Sequence, residues 1–226
     1  MSVPVHPRPL LSVALFVVGA GWASGVSLLD AQTLPPVTAD AAAMAKAQSD
    51  SARYPYTAAD IHFVTGMISH HSQAIVMAGW APTHGAGAAV RRLCERIVNA
   101  QVDEIVLMQR WLADRRQPVP VPDFAMLAMG HSGGKHMMTM PGMLTEAQMR
   151  ELDRAQGTRF DILFLQLMIQ HHKGAVTMVG DLFAAEGGRD LAVFKFASDI
   201  NVDQTTEIRR MQRMLTDLLL TEATHP

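Results

Sequence analysis

The chain has 226 residues, 49% of them hydrophobic, enough for one domain or two small ones with a substantial core. Its formal net charge is −2, so it carries no basic field to attract nucleic acid. A single cysteine, Cys94, excludes an internal disulfide.

Residues 1–31 read as a targeting segment. Arg8 is followed by a charge-free run from Pro9 to Leu29, apolar at its centre and closing on small residues. The run is long enough to span a bilayer. It is expected to serve as an export signal or an N-terminal membrane anchor, with the bulk of the chain outside the cytoplasm.

Residues 32–116 are expected to form a first helical hairpin. An Ala-rich stretch holds a short helix near 39–52. Thr57 opens a long helix, because TAAD supplies an N-cap threonine and an acid three residues on. Pro82 and Gly85 stop it near Ala81. A return helix runs from Gly87 to Arg116, where Pro118, Pro120 and Pro122 end it. Cys94 sits among Val90, Ile97 and Val98 at helical spacing and reads as a small core residue.

Residues 117–144 form a linker rich in Pro, Gly, His and Met. A second hairpin occupies 145–222. TEAQ at Thr145 is another capping box, opening a short helix to Gln156. Long helices follow over 159–186, ended by Gly187 and Gly188, and over 189–220. Strand signals are weak throughout.

The two hairpins are copies. FVTGMISHHSQAIVM (63–77) matches FLQLMIQHHKGAVTM (164–178) at an offset of 101, and Asp60 matches Asp161. The return helices match at an offset of 103, QVDEIVLMQRWL (101–112) against QTTEIRRMQRML (204–215). Four long helices in two repeated hairpins predict an all-α protein, a four-helix bundle with short accessory helices.

The repeated unit carries metal-ligand chemistry. Imidazole nitrogen and thioether sulfur both bind soft or borderline transition metals such as copper. The candidates are His70 and His71 with Met67 and Met77, and His171 and His172 with Met168 and Met178. Adjacent histidines diverge by about 100° on a helix, so one of each pair faces the bundle axis and the other its flank. The competing reading is core methionine and hydrogen-bonded core histidine, since duplication copies structural residues as faithfully as ligands.

The linker supplies a second candidate set: His131, His136, Met137, Met138, Met140 and Met143, with Met126 and Met129 nearby. These residues lie among Gly, Pro and Ser, with no periodic face to bury. Clustered thioethers and imidazoles there suit Cu(I) or Ag(I), which accept few soft ligands without strict geometry. The alternative is a Met-rich strap over apolar surface.

Glu104, Met108, Glu207 and Met211 are paired on the return helices. The two glutamates read as solvated, or as hydrogen-bonded to an imidazole. Asp60 and Asp161 read as helix N-terminal acids that suit the dipole. His62, His84 and His225 have no counterparts and read as surface residues.

MPGMLTEAQMREL followed by FDILFLQLMIQHHKGAVTM, with the earlier D-x-x-F-x-x-x-M-I-x-H-H frame, resembles family 305 of the domains of unknown function over about residues 40–220. The resemblance implies a ferritin-like four-helix bundle and kinship with exported copper-binding proteins linked to copper resistance. It also implies that the His-His pairs, their Met neighbours and the linker methionines are the ligands. The copies depart from each other at Ser72 and Gln73 against Lys173 and Gly174, and at Gly66 against Leu167. The first site is therefore expected to differ in packing or affinity.

The function expected is an exported metal-binding protein, not an enzyme. It would take Cu(I), or Ag(I) or Cu(II), through His and Met for copper buffering, trafficking or resistance. Its partners would be the metal ion and another copper-handling protein, with no nucleic acid, and with a membrane only through an uncleaved N-terminal segment. Two other readings stand beside this one. A ferritin-like oxidoreductase would need Glu-x-x-His motifs on two of the bundle helices; the single match, Glu222 to His225, lies outside both repeated His-His frames. A metal-free structural or signalling bundle would use its histidines as core polar groups.

Overall fold

A computed structural model describes residues 39–53, 55–122 and 140–224, with Phe124 and Leu127 between them. The expected targeting segment lies outside these residues, as do linker positions 128–139. The described chain forms six helices: α1 (Ala39–Arg53), α2 (Ala58–Gly79), α3 (Ala88–Asp114), α4 (Glu146–Arg154), α5 (Gly157–Ala184) and α6 (Leu191–Thr224). No strand occurs among the described residues, and none of their helices is long and apolar enough to cross a membrane.

The expected four-helix bundle is present. α2 pairs with α3, α5 pairs with α6, and the two hairpins join along α2 and α5. α1 lies on α3 and α4 on α5 as accessory helices. Both predicted capping boxes form. Asp60 N–H donates to Thr57 Oγ1 at 3.2 Å while Thr57 N–H donates back to Asp60 Oδ2 at 2.7 Å. Thr145 and Gln148 repeat the exchange at the start of α4. α3 stops at Asp114 because Arg116 turns to φ 56°, and Gly188 takes the left-handed position at φ 76° after α5.

The apolar interior divides into two clusters. One gathers Ala74, Met77 and Ala78 of α2 with Phe160, Phe164 and Met168 of α5. The other gathers Phe63, Val64 and Met67 of α2 with Ala175, Met178 and Leu182 of α5. The C-terminal half of α2 thus meets the N-terminal half of α5 and the reverse, so the two helices run antiparallel. The two histidine pairs fall between these halves. Cys94 is buried in the first cluster as expected, and burial, followed by nearby Asp161, pushes its thiol up to about 12.

Asp60 and Asp161 do more than suit a helix dipole. Asp60 Oδ1 accepts from Gly188 N–H at 2.6 Å, and Asp161 Oδ2 accepts from Gly87 N–H at 3.0 Å. Each hairpin's aspartate therefore holds the turn of the other hairpin, in a symmetric exchange. His84 is also not a surface residue. Its ring is buried against Trp80 and Phe160, with Nδ1 at 2.9 Å from the Trp80 carbonyl and Nε2 at 2.8 Å from the Asp153 carbonyl.

Candidate metal centre

Antiparallel α2 and α5 bring the two histidine pairs into one layer. Ala74 and Ala175 are fully buried beside them, and small side chains there let the helix axes approach. All four imidazoles are fully buried. His70 and His171 stack on each other, ring centroids 3.8 Å apart and tilted by 39°. His71 and His172 turn away from that stack toward the return helices. His71 Nε2 lies 2.7 Å from Glu104 Oε2, out of hydrogen-bond alignment, and His172 Nε2 lies 2.7 Å from Glu207 Oε2 in alignment. The expected split of each pair between axis and flank is therefore realised symmetrically. The glutamates are partners of imidazoles, not wholly solvated residues.

Burial governs the protonation of this layer. The His70 imidazole is pushed down to about 3, chiefly by desolvation and next by His71, against a weak opposing pull from the Pro141 carbonyl. His171 is held well below the usual range by burial, then by His70 and His172. The His70 carbonyl lies near its ring without the alignment of a hydrogen bond. His172 is lowered by burial despite Glu207. The imidazoles are thus kept neutral, the form that ligates metals.

Several of their nitrogens have no partner among the described residues. His71 and His171 leave both ring nitrogens without a hydrogen bond, and His70 and His172 each leave Nδ1. Buried polar atoms of this kind cost on the order of 1–3 kcal/mol each when left unsatisfied, so a layer of them calls for a ligand. The residues fit copper: neutral imidazoles, shielded from water, between thioether-bearing walls. Among the described residues no three His, Cys, Asp or Glu side chains already converge on one metal position. The layer offers donors in pairs, which suits the low coordination numbers of Cu(I) and Ag(I) better than a closed tetrahedral shell.

Gln101 and Gln204 were not singled out from sequence. They occupy matching positions one turn before Glu104 and Glu207, and both are buried. Gln101 leaves both amide atoms without a partner, and Gln204 its Oε1. Their signal was the repeated Gln-x-x-Glu spacing, obscured because glutamine on a helix ordinarily reads as solvated.

The end of the linker docks on this layer, and it docks on the residues by which the copies differ. His70 Nε2 lies 3.0 Å from the Pro141 carbonyl. Gln73 holds the Leu144 backbone at both ends, donating to its carbonyl at 3.1 Å and accepting from its N–H at 2.8 Å. Its counterpart Gly174 makes room for the chain: a Cβ there would stand 2.0 Å from the Pro141 carbonyl oxygen. Gly142, at φ 78°, faces the same spot. Gly66, the counterpart of Leu167, receives Met140 Sδ and Met178 Cε against its open face.

The remaining candidates separate by place. Met67 and Met178 belong to the apolar cluster on one side of the histidines, Met77 and Met168 to the cluster on the other. Met140 and Met143 are half-buried in the docked turn. His131, His136, Met137 and Met138 lie outside the described residues, as do Met126, Met129 and His225.

An all-helical bundle made of two hairpin copies, with a buried histidine layer where they cross, defines the class. The chain belongs to the family described as Domain of unknown function (DUF305), whose model matches residues 60–215. A DUF305 fragment from Deinococcus radiodurans is 30% identical over 72% of this chain and 99% of its own, with a TM-score of 0.60. A DUF305 protein from Streptomyces coelicolor, provisionally described as secreted, is 30% identical over 71% and 92%, with a TM-score of 0.59. CopM in its Cu(II)-bound form is 30% identical over 70% and 96%, with a TM-score of 0.54. CopM has also been solved in Cu(I)-bound and Ag-bound forms, with 27% identity to this chain. No curated protein matches the chain.

Proposed function

We propose that this chain is an exported copper-binding protein that holds Cu(I), or Ag(I), through the imidazoles of His70, His71, His171 and His172, for buffering, trafficking or resistance. The observation that carries the reading is the layer of four fully buried imidazoles with unpartnered nitrogens at the crossing of the two repeats. The charge-free run from Pro9 to Leu29 supports export, and the copper- and silver-bound forms of CopM support the metal. Met67, Met77, Met168 and Met178 would supply soft walls or further donors, and the linker set His131, His136, Met137, Met138, Met140 and Met143 a second group of donors.

Glu104 and Glu207 each engage one outer imidazole. That contact orients the ring and raises its basicity, as carboxylates do behind ligating histidines. It favours this reading over the oxidoreductase alternative, in which carboxylates bridge two metals. A Cu(I) competition titration tests the proposal. The wild-type chain is expected to bind with sub-micromolar affinity. A variant with all four histidines changed to alanine is expected to lose the sites they form, while unchanged stoichiometry and affinity would defeat the assignment.

A further inference from the structure

The duplication provides an internal control for a second feature. At the far end of the bundle, α5 and α2 carry Leu163, Leu167, Met77 and Trp80, which pack into the first apolar cluster and close it. The equivalent positions at the near end are His62, Gly66, Met178 and Asp181. Methionine is retained, while three apolar side chains are replaced by an imidazole, a glycine and a carboxylate. His62, Met178 and Asp181 border a cavity of about 600 Å³, which Met140 of the docked turn also lines.

Gly66 brings the two thioethers together. Met140 Sδ and Met178 Cε stand 3.2 and 3.3 Å from the point where a Gly66 Cβ would be. His62 lies one turn before Gly66 on the same helix face, and Asp181 lies one turn after Met178. His62 and Asp181 are exposed at the rim, while Met178 is buried at the wall.

We propose that this cavity is a second soft-metal site, in which the sulfurs of Met140 and Met178 and the imidazole of His62 bind one Cu(I) or Ag(I) ion, separate from the buried histidines. Methionine has three rotatable bonds, so both sulfurs can turn to a common ion. Thioether and imidazole donors select monovalent soft metals over Mg²⁺ or Ca²⁺. Asp181 adds a negative charge at the mouth, which favours entry of a cation. None of the four buried imidazoles takes part in this site, which stands whether or not they bind metal.

The experiment is Ag(I) titration of the full chain by native mass spectrometry, with the methionine methyl groups labelled with carbon-13 for NMR. Wild-type protein is expected to show the Met140 and Met178 methyl signals moving on Ag(I) addition. Two variants remove the site in different ways. His62→Leu with Gly66→Leu rebuilds the closed end while leaving every methionine in place. Met140→Leu with Met178→Leu removes the sulfurs at nearly constant volume. Each is expected to bind one Ag(I) fewer than wild type at unchanged helicity. The four-histidine variant is expected to keep that ion and its methyl shifts. Wild-type stoichiometry in the Met140→Leu/Met178→Leu protein, or motionless Met140 and Met178 signals in wild type, would overturn the proposal.

Discussion

At the residue scale, the histidine pairs were legible because doubled His-His in a Met frame is a rare pattern, and their mutual geometry was not. Sequence separates His70 from His171 by a hundred residues, and only antiparallel α2 and α5 bring their rings to 3.8 Å. Their burial has a measurable consequence. His70 has an ordinary pKa of 6.5 and a folded value of about 3, and His171 and His172 are shifted in the same direction. Below pH 6.5 the unfolded chain takes up protons that the folded chain refuses, so stability falls as pH falls toward 3. Each such histidine contributes a slope of up to about 1.4 kcal/mol per pH unit. The metal-free protein is therefore expected to show a lower urea midpoint at pH 5 than at pH 7. A flat profile would mean that the imidazoles are not buried neutral.

At the scale of elements, both capping boxes and every long helix were legible, since local rules decide them. The docked turn was not. Nothing local marks Gln73 as a clamp or Gly174 as a cradle, because their roles depend on a segment some seventy residues from one and thirty from the other. The differences between copies were the available signal, and they were assigned to packing or affinity of the first site. Gly174→Ala tests the docking. Its new Cβ would strike backbone, which cannot swing aside as a side chain can. We expect a loss on the order of 1–3 kcal/mol by overpacking. Faster proteolysis within the linker should accompany it. The same substitution at Gly180, where an added Cβ meets nothing within 4 Å, should be neutral or mildly stabilising.

At the scale of the whole molecule, the four-helix architecture followed from counting hairpins, while the bonds that lock the hairpins together did not. The reciprocal clamps from Asp60 to Gly188 and from Asp161 to Gly87 sit at opposite ends of the α2–α5 pair. Each aspartate's local reading was sufficient by itself, so the second partner went unsuspected. Asp60→Ala and Asp161→Ala should each cost on the order of 1–3 kcal/mol through the lost hydrogen bonds from these buried carboxylates to the turn backbone of the other hairpin. Asp60→Ala should cost more, because Asp60 also completes the capping box of α2. Since the two clamps share no partners, the double variant should equal the sum within about 0.5 kcal/mol, as read by chemical denaturation.

The docked turn from Met140 to Leu144 has a consequence for the equality of the two copies. It is one segment with one direction, lying where the duplicated helices are related by a two-fold exchange. A single directed segment cannot obey such an exchange, so it must treat its mirror-matched neighbours unequally. It gives its Pro141 carbonyl to His70 and nothing to His171, whose two ring nitrogens stay unsatisfied. An ancestral pair of identical hairpins would have offered two interchangeable donors. The docked turn thus leaves His70 one free ring nitrogen and its counterpart His171 two.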